Sequence, residues 1–197
     1  MPHEVFFPLT PQAALDYRSR AMKSLQVGET APDFNALDQD RNRFFLAKAA
    51  AKEKILLVFY PADDTPVCST QLAEYGKNIE AFKSRGIQVY GISISSNESQ
   101  KEFHQKLGLP FPLLADYDTR ITTKYGVMSF TGHPKRALFL IGEDRKVLWK
   151  HVEALAISYR STEEILSQVD KLFGPPPQPT RSHTPAPESA VENSAAH

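Results

Sequence analysis

The segment Ile55-Leu56-Leu57-Val58-Phe59-Tyr60 is an unbroken apolar run, and it restricts the fold more than any other stretch of the chain. A strand with one wet face alternates apolar and polar residues. A run without polar partners must be covered on both faces, as in the middle of an α/β sheet. The segments around it keep that expectation. Residues 66–85 predict a helix, with Leu72, Tyr75, Ile79 and Phe82 on one face and Gly86 as its stop. Residues 87–94 read as the next strand, and 98–107 as a helix ended by Gly108. A brief strand at 113–115 and a helical turn or two at 119–125 follow. Residues 137–141 and 146–151 predict a hairpin around Gly142-Glu143-Asp144-Arg145. The last helix starts at Ser161, where Glu164 completes a capping box and Ile165, Leu166, Val169, Leu172 and Phe173 supply the buried stripe. The order predicts an α/β fold with a mixed sheet flanked by helices.

Two flanks stand apart. In residues 1–26, Thr10-Pro11 is a good helix start and Ala14, Leu15, Ala21, Met22 and Leu25 form a weak apolar stripe, so an arm with a helix is expected. Residues 174–197 open with Pro175, Pro176, Pro177 and Pro179 and carry Val191 as their only large aliphatic. Such a segment buries too little surface to offset its ordering entropy, and a disordered Pro-rich tail is expected. One domain is therefore expected over residues 27–173.

Charge and cysteine count narrow the function classes. Lys plus Arg and Asp plus Glu both number 23, which leaves no electrostatic footprint for nucleic acid. No stretch approaches the roughly 20 apolar residues that span a bilayer. The first twelve residues lack the apolar core of a secretion signal. The single cysteine, Cys68, cannot form an internal disulfide, and the expected location is a reducing cytoplasm.

Chemistry concentrates in Phe59-Tyr60-Pro61-Ala62-Asp63-Asp64-Thr65-Pro66-Val67-Cys68-Ser69-Thr70-Gln71. This segment leaves the central strand and enters a helix, the crevice position where open α/β sheets build sites. Thr65 suits the N-cap and Pro66 the first helical position. Cys68 then falls in the first turn, where unpaired N–H groups and the helix dipole favour the anionic, nucleophilic form of a thiol. The bland alternative for a lone cysteine is a small buried hydrophobe. Asp63 and Asp64 are expected to point into solvent, neutralised by lysines, since carboxylates facing a thiolate oppose it.

Pro61, Thr65 and Cys68 reproduce a Pro-x-x-x-Thr-x-x-Cys signature, and here the chain resembles the peroxiredoxins, in particular their PrxQ (bacterioferritin comigratory protein) group. The resemblance covers about residues 27–173. Its further anchors are Val27-Gly28-Glu29-Thr30-Ala31-Pro32-Asp33-Phe34, Leu109-Pro110-Phe111-Pro112-Leu113-Leu114-Ala115-Asp116 and Arg136-Ala137-Leu138-Phe139-Leu140-Ile141. The resemblance implies a thioredoxin-like fold and a thiol-dependent peroxidase acting on hydrogen peroxide and organic hydroperoxides. It makes Cys68 the peroxidatic nucleophile, Thr65 the residue orienting thiolate and peroxide, Pro61 a shield against water, and Arg136 a fixed positive charge beside the sulfur. Cys68 would become a sulfenic acid, and no metal or organic cofactor is needed.

The chain also departs from the pattern. Ala73 stands where many PrxQ-type proteins carry a resolving cysteine, so the resemblance is to a one-cysteine form. Its expected partners are the peroxide and an external reductant: thioredoxin, glutaredoxin with glutathione, or another small thiol. Monomer and homodimer both stay open. Gln71 takes a place often held by glutamate, and Asp40-Arg41-Asn42-Arg43 replaces a glycine turn. The alternative from another class is a peroxide sensor or redox-regulated binding protein with slow turnover. A disulfide reductase would need a second cysteine. A cysteine hydrolase would need His104, His133 or His151 as base and leaves Thr65 and Arg136 without a task.

Overall fold

The computed structural model describes residues 24–154 and 157–176. The N-terminal helix expected around Thr10 and most of the Pro-rich segment lie outside the described residues.

Among the described residues seven strands form one mixed sheet. They are β1 (Asn35–Asp38), β2 (Arg43–Phe45), β3 (Lys54–Phe59), β4 (Ile87–Ser93), β5 (Leu113–Ala115), β6 (Ala137–Ile141) and β7 (Val147–Val152), in the spatial order β2-β1-β5-β4-β3-β6-β7. β3 pairs in parallel with β4 and antiparallel with β6. The apolar run divides by the strand period of two. Ile55, Leu57 and Phe59 enter one core with Phe34, Phe44, Tyr125 and Phe139. Leu56, Val58 and Tyr60 enter the other with Cys68, Leu72, Tyr75, Phe82 and Phe103. Both faces are covered, which is why the run has no polar member.

The helices among the described residues are α1 (Leu46–Ala50), α2 (Pro66–Lys77), α3 (Ile79–Lys83), α4 (Asn97–Leu107), α5 (Arg120–Lys124) and α6 (Thr162–Phe173). α4 ends at Gly108 in the left-handed conformation, φ 59°, and the capping box of Ser161 and Glu164 opens α6. Three features differ from the sequence reading. The helix expected over 66–85 is two helices broken at Asn78. Asn78 Nδ2 donates to the Glu74 carbonyl (2.9 Å), competing with the helix ladder. Residues 46–50, read as no particular element, form the short α1. In the first hairpin Arg41 takes φ 64° without a glycine. The Asp38 carboxylate accepts from the Asp40 N–H (2.9 Å) and the Asn42 N–H (2.8 Å), and so organises the turn itself.

Sheet register positions the chemistry. Phe59, the last residue of β3, faces Ala137, the first of β6. Arg136 therefore sits one step beyond β6, level with the start of the loop that leads from β3 into α2.

Candidate active site

Thr65 sits at the N-cap in extended backbone (φ −92°, ψ 147°), and Pro66 is the first helical residue of α2. The Thr65 hydroxyl makes no capping bond; Oγ1 lies 3.5 Å from the Ala62 carbonyl. The threonine starts the helix through its backbone, and its hydroxyl is not committed to the helix end. The first α2 bond runs from the Ser69 N–H to the Thr65 carbonyl (2.8 Å). Cys68 lies in this first turn, where helix N–H groups have no intrahelical acceptor.

Cys68 is 1% exposed and Arg136 is 2% exposed. Arg136 Nη2 donates to Cys68 Sγ over 3.4 Å. Its other terminal nitrogen, Nη1, donates to Gln71 Oε1. The guanidinium thus bridges the sulfur to a side chain three residues on, one turn along the same helix. Gln71 Nε2 in turn donates to the Tyr75 hydroxyl (3.0 Å), which donates to the Arg160 carbonyl (2.6 Å). Of the residues singled out in the sequence, Cys68 and Arg136 meet directly. Thr65 and the half-buried Pro61 lie on the connection that carries Cys68.

Asp64 behaves as expected, an exposed carboxylate paired with Lys106 Nζ at 2.5 Å. Asp63 does not. It turns inward and accepts from Tyr60 (2.8 Å), Ser99 (2.7 Å) and Ser93 (3.3 Å) hydroxyls. Three neutral donors replace the lysine expected there. The result ties the loop after β3 to β4 and α4, and burial together with the Asp63 charge holds the Tyr60 phenol well above its usual range.

Sequence reasoning missed the outer members of the hydrogen-bond chain. It placed Tyr75 on the apolar face of a helix, which is correct for the ring and silent about the hydroxyl. The spacing of Gln71 and Tyr75, one helical turn, is a visible signal. The Arg160 carbonyl, 85 residues away from Tyr75, has none. His151, one candidate base for a hydrolase, instead lies 3.0 Å from Glu153 and accepts from Arg160 Nε. Among the described residues no three His, Cys, Asp or Glu side chains converge as a metal site. No helix among them is long and apolar enough to cross a membrane. A cleft of about 410 Å³ between β1 and α5, lined in part by Asp33, Leu37, Tyr117 and Arg120, is separate from Cys68.

The model of the AhpC/TSA family matches residues 27–150. The chain is 34% identical to the chloroplastic peroxiredoxin Q of Suaeda salsa, over 68% of this chain and 62% of that protein. It is 37% identical to the chloroplastic peroxiredoxin Q of Sedum lineare, over 68% of this chain and 73% of that one. Its match thus spans less than two thirds of the Suaeda protein. The crystal structure of peroxidoxin BcpB from Mycobacterium tuberculosis superposes with a TM-score of 0.64 at 28% identity, covering 68% of this chain and 89% of that one. With a helix-borne cysteine beside a buried arginine on a thioredoxin-like fold, the chain belongs to the AhpC/TSA family of peroxiredoxins, as a member with a single cysteine.

Proposed function

We propose that this chain reduces hydrogen peroxide and organic hydroperoxides at Cys68, with an external thiol closing the cycle. The observation that carries the reading is the 3.4 Å contact between Arg136 Nη2 and Cys68 Sγ, made where both side chains are buried. Away from water, a guanidinium that donates to the sulfur lies where it can meet the charge that passes to the leaving oxygen during attack.

In the first half-reaction a lone pair of the Cys68 thiolate attacks one peroxide oxygen. The S–O bond forms, the O–O bond breaks, and the departing oxygen takes a proton and leaves as water or an alcohol. Cys68 becomes a sulfenic acid. Thr65, with its hydroxyl uncommitted to the helix, orients the peroxide for in-line attack. Pro61 covers the loop side of the site. In the second half-reaction one external thiol displaces water to form a mixed disulfide, and a second thiol releases Cys68. Thioredoxin, glutaredoxin with glutathione, or another small thiol supplies these electrons, since Cys68 has no second cysteine in the chain.

Stopped-flow measurement of hydrogen peroxide with reduced protein tests the reading. A Cys68-dependent second-order rate on the order of 10⁴ M⁻¹s⁻¹ or above is expected, absent in Cys68→Ser. A wild-type rate no better than that of a free thiol overturns it.

A further inference from the structure

The Gln71 side chain is fully buried, so both ends of its amide must find partners inside the protein. The guanidinium of Arg136 has donors only, so the amide oxygen must face it. The NH₂ group is then forced toward the Tyr75 hydroxyl, which must accept. The tyrosine's own proton goes to the Arg160 carbonyl at 2.6 Å. Every donor direction along this chain is set, because it begins at a permanent donor and ends at a permanent acceptor. An amide turned by half a rotation would set two donors against each other at Arg136.

The far end is braced. Glu74, beside Tyr75 on α2, accepts from the Tyr159 hydroxyl (2.9 Å) and the Thr162 N–H (2.6 Å). The carbonyl of Arg160 is thus pinned to α2 from both sides. Burial pushes the Tyr75 phenol far above its usual range, so it stays protonated and able to accept and donate at once.

Resting on the peroxidase reading, we propose that Tyr75 is a positioning residue for the peroxide step: its hydroxyl fixes the Gln71 amide, and through it holds the Arg136 guanidinium on the Cys68 sulfur. Without that hydroxyl the buried NH₂ loses its acceptor. The amide turns to find another, and Arg136 loses one of the groups that hold its fork in place.

The test is Tyr75→Phe, which keeps the ring and its packing against Phe82 (centroids 6.0 Å apart). The second-order rate with hydrogen peroxide is expected to fall about tenfold. Gln71→Glu in the same chain should restore it to within about threefold. A carboxylate has no N–H to leave unpaired, and one of its oxygens accepts a charge-assisted bond from Arg136 Nη1 while Nη2 stays on Cys68. A tyrosine that merely supports the fold would not be rescued by a change at residue 71. Alkylation of Cys68 by iodoacetamide is read in parallel and should follow the same fall and recovery. A wild-type protein inert to peroxide overturns the peroxidase reading and leaves the alkylation arm to decide the role of Tyr75. Full reactivity in Tyr75→Phe, or an equal loss with glutamate at position 71, overturns the proposal.

Discussion

Arg136 offers two nitrogens to two acceptors, Cys68 Sγ and Gln71 Oε1, and an ammonium cannot reproduce that planar fork. Arg136→Lys should therefore keep the charge and still lower the peroxide rate by roughly ten-fold, while Arg136→Ala lowers it by on the order of a hundred-fold. Stopped-flow rates on the two variants separate charge from geometry; equal wild-type rates in the lysine variant would mean that charge alone suffices. Thr65 makes the opposite kind of prediction. Because its hydroxyl makes no capping bond, Thr65→Val should slow peroxide attack while shifting stability by less than about 0.5 kcal/mol. A large drop in the urea midpoint would show the hydroxyl to be structural. Cys68, Thr65 and Arg136 were all legible as residues to suspect. The inward turn of Asp63 was not, because its partners Ser93 and Ser99 lie on two other elements.

At the scale of elements, α2 carries Cys68 and its far side is held by the segment before α6. Ser161 accepts from the Glu164 N–H while Glu164 accepts from the Ser161 N–H. Ser161→Ala should lower stability by about 1 kcal/mol, measured by chemical denaturation. A strand imposes a different limit. Gly91 in β4 stands between Val58 and Leu113, and an added Cβ would meet Leu113 Cδ2 at 2.5 Å and Tyr60 Cε1 at 3.2 Å. Gly91→Ala should thus destabilise by roughly 1–3 kcal/mol; a midpoint equal to wild type would show that Leu113 can turn aside. The break at Asn78 escaped the sequence reading because apolar spacing runs straight through it. Leu72, Tyr75, Ile79 and Phe82 all face one core whether the helix is continuous or not.

At the scale of the whole molecule, surface carboxylates among the described residues are paired with donors that bear on stability in acid. The Arg85 guanidinium, in a two-point contact at 2.7 and 2.8 Å, lowers Asp170 below the usual carboxylate range. The Ser161 N–H, with Arg160, lowers Glu164. Backbone and Arg41 bonds lower Glu98, and Lys101 lowers Asp40. A carboxylate whose folded value is lowered adds stability above its unfolded value, near pH 4, and loses it as the pH falls toward the folded value. Burial raises Asp116, which acts in the opposite sense, one group against four among the described residues. Stability should therefore decline as the pH drops below about 4, with a shallower decline in Asp170→Asn. Urea midpoints across that range check it, and a flat profile would contradict it.

The apolar run of β3, the caps at Ser161 and Gly108, and the strand-to-helix passage into Cys68 were determined by the sequence alone. Each depends on residues within a few positions of one another, where period, capping and φ preferences act directly. The pairing of Cys68 with Arg136 rests in this structure on sheet register, with Phe59 opposite Ala137, a contact between residues 68 positions apart in the chain. Only a family signature made that arginine visible beforehand. The outer half of the chain, from Tyr75 to the Arg160 carbonyl, belongs wholly to the tertiary structure. A backbone carbonyl is the same group at every residue, so nothing in the sequence could say which one would finish a buried hydrogen-bond chain.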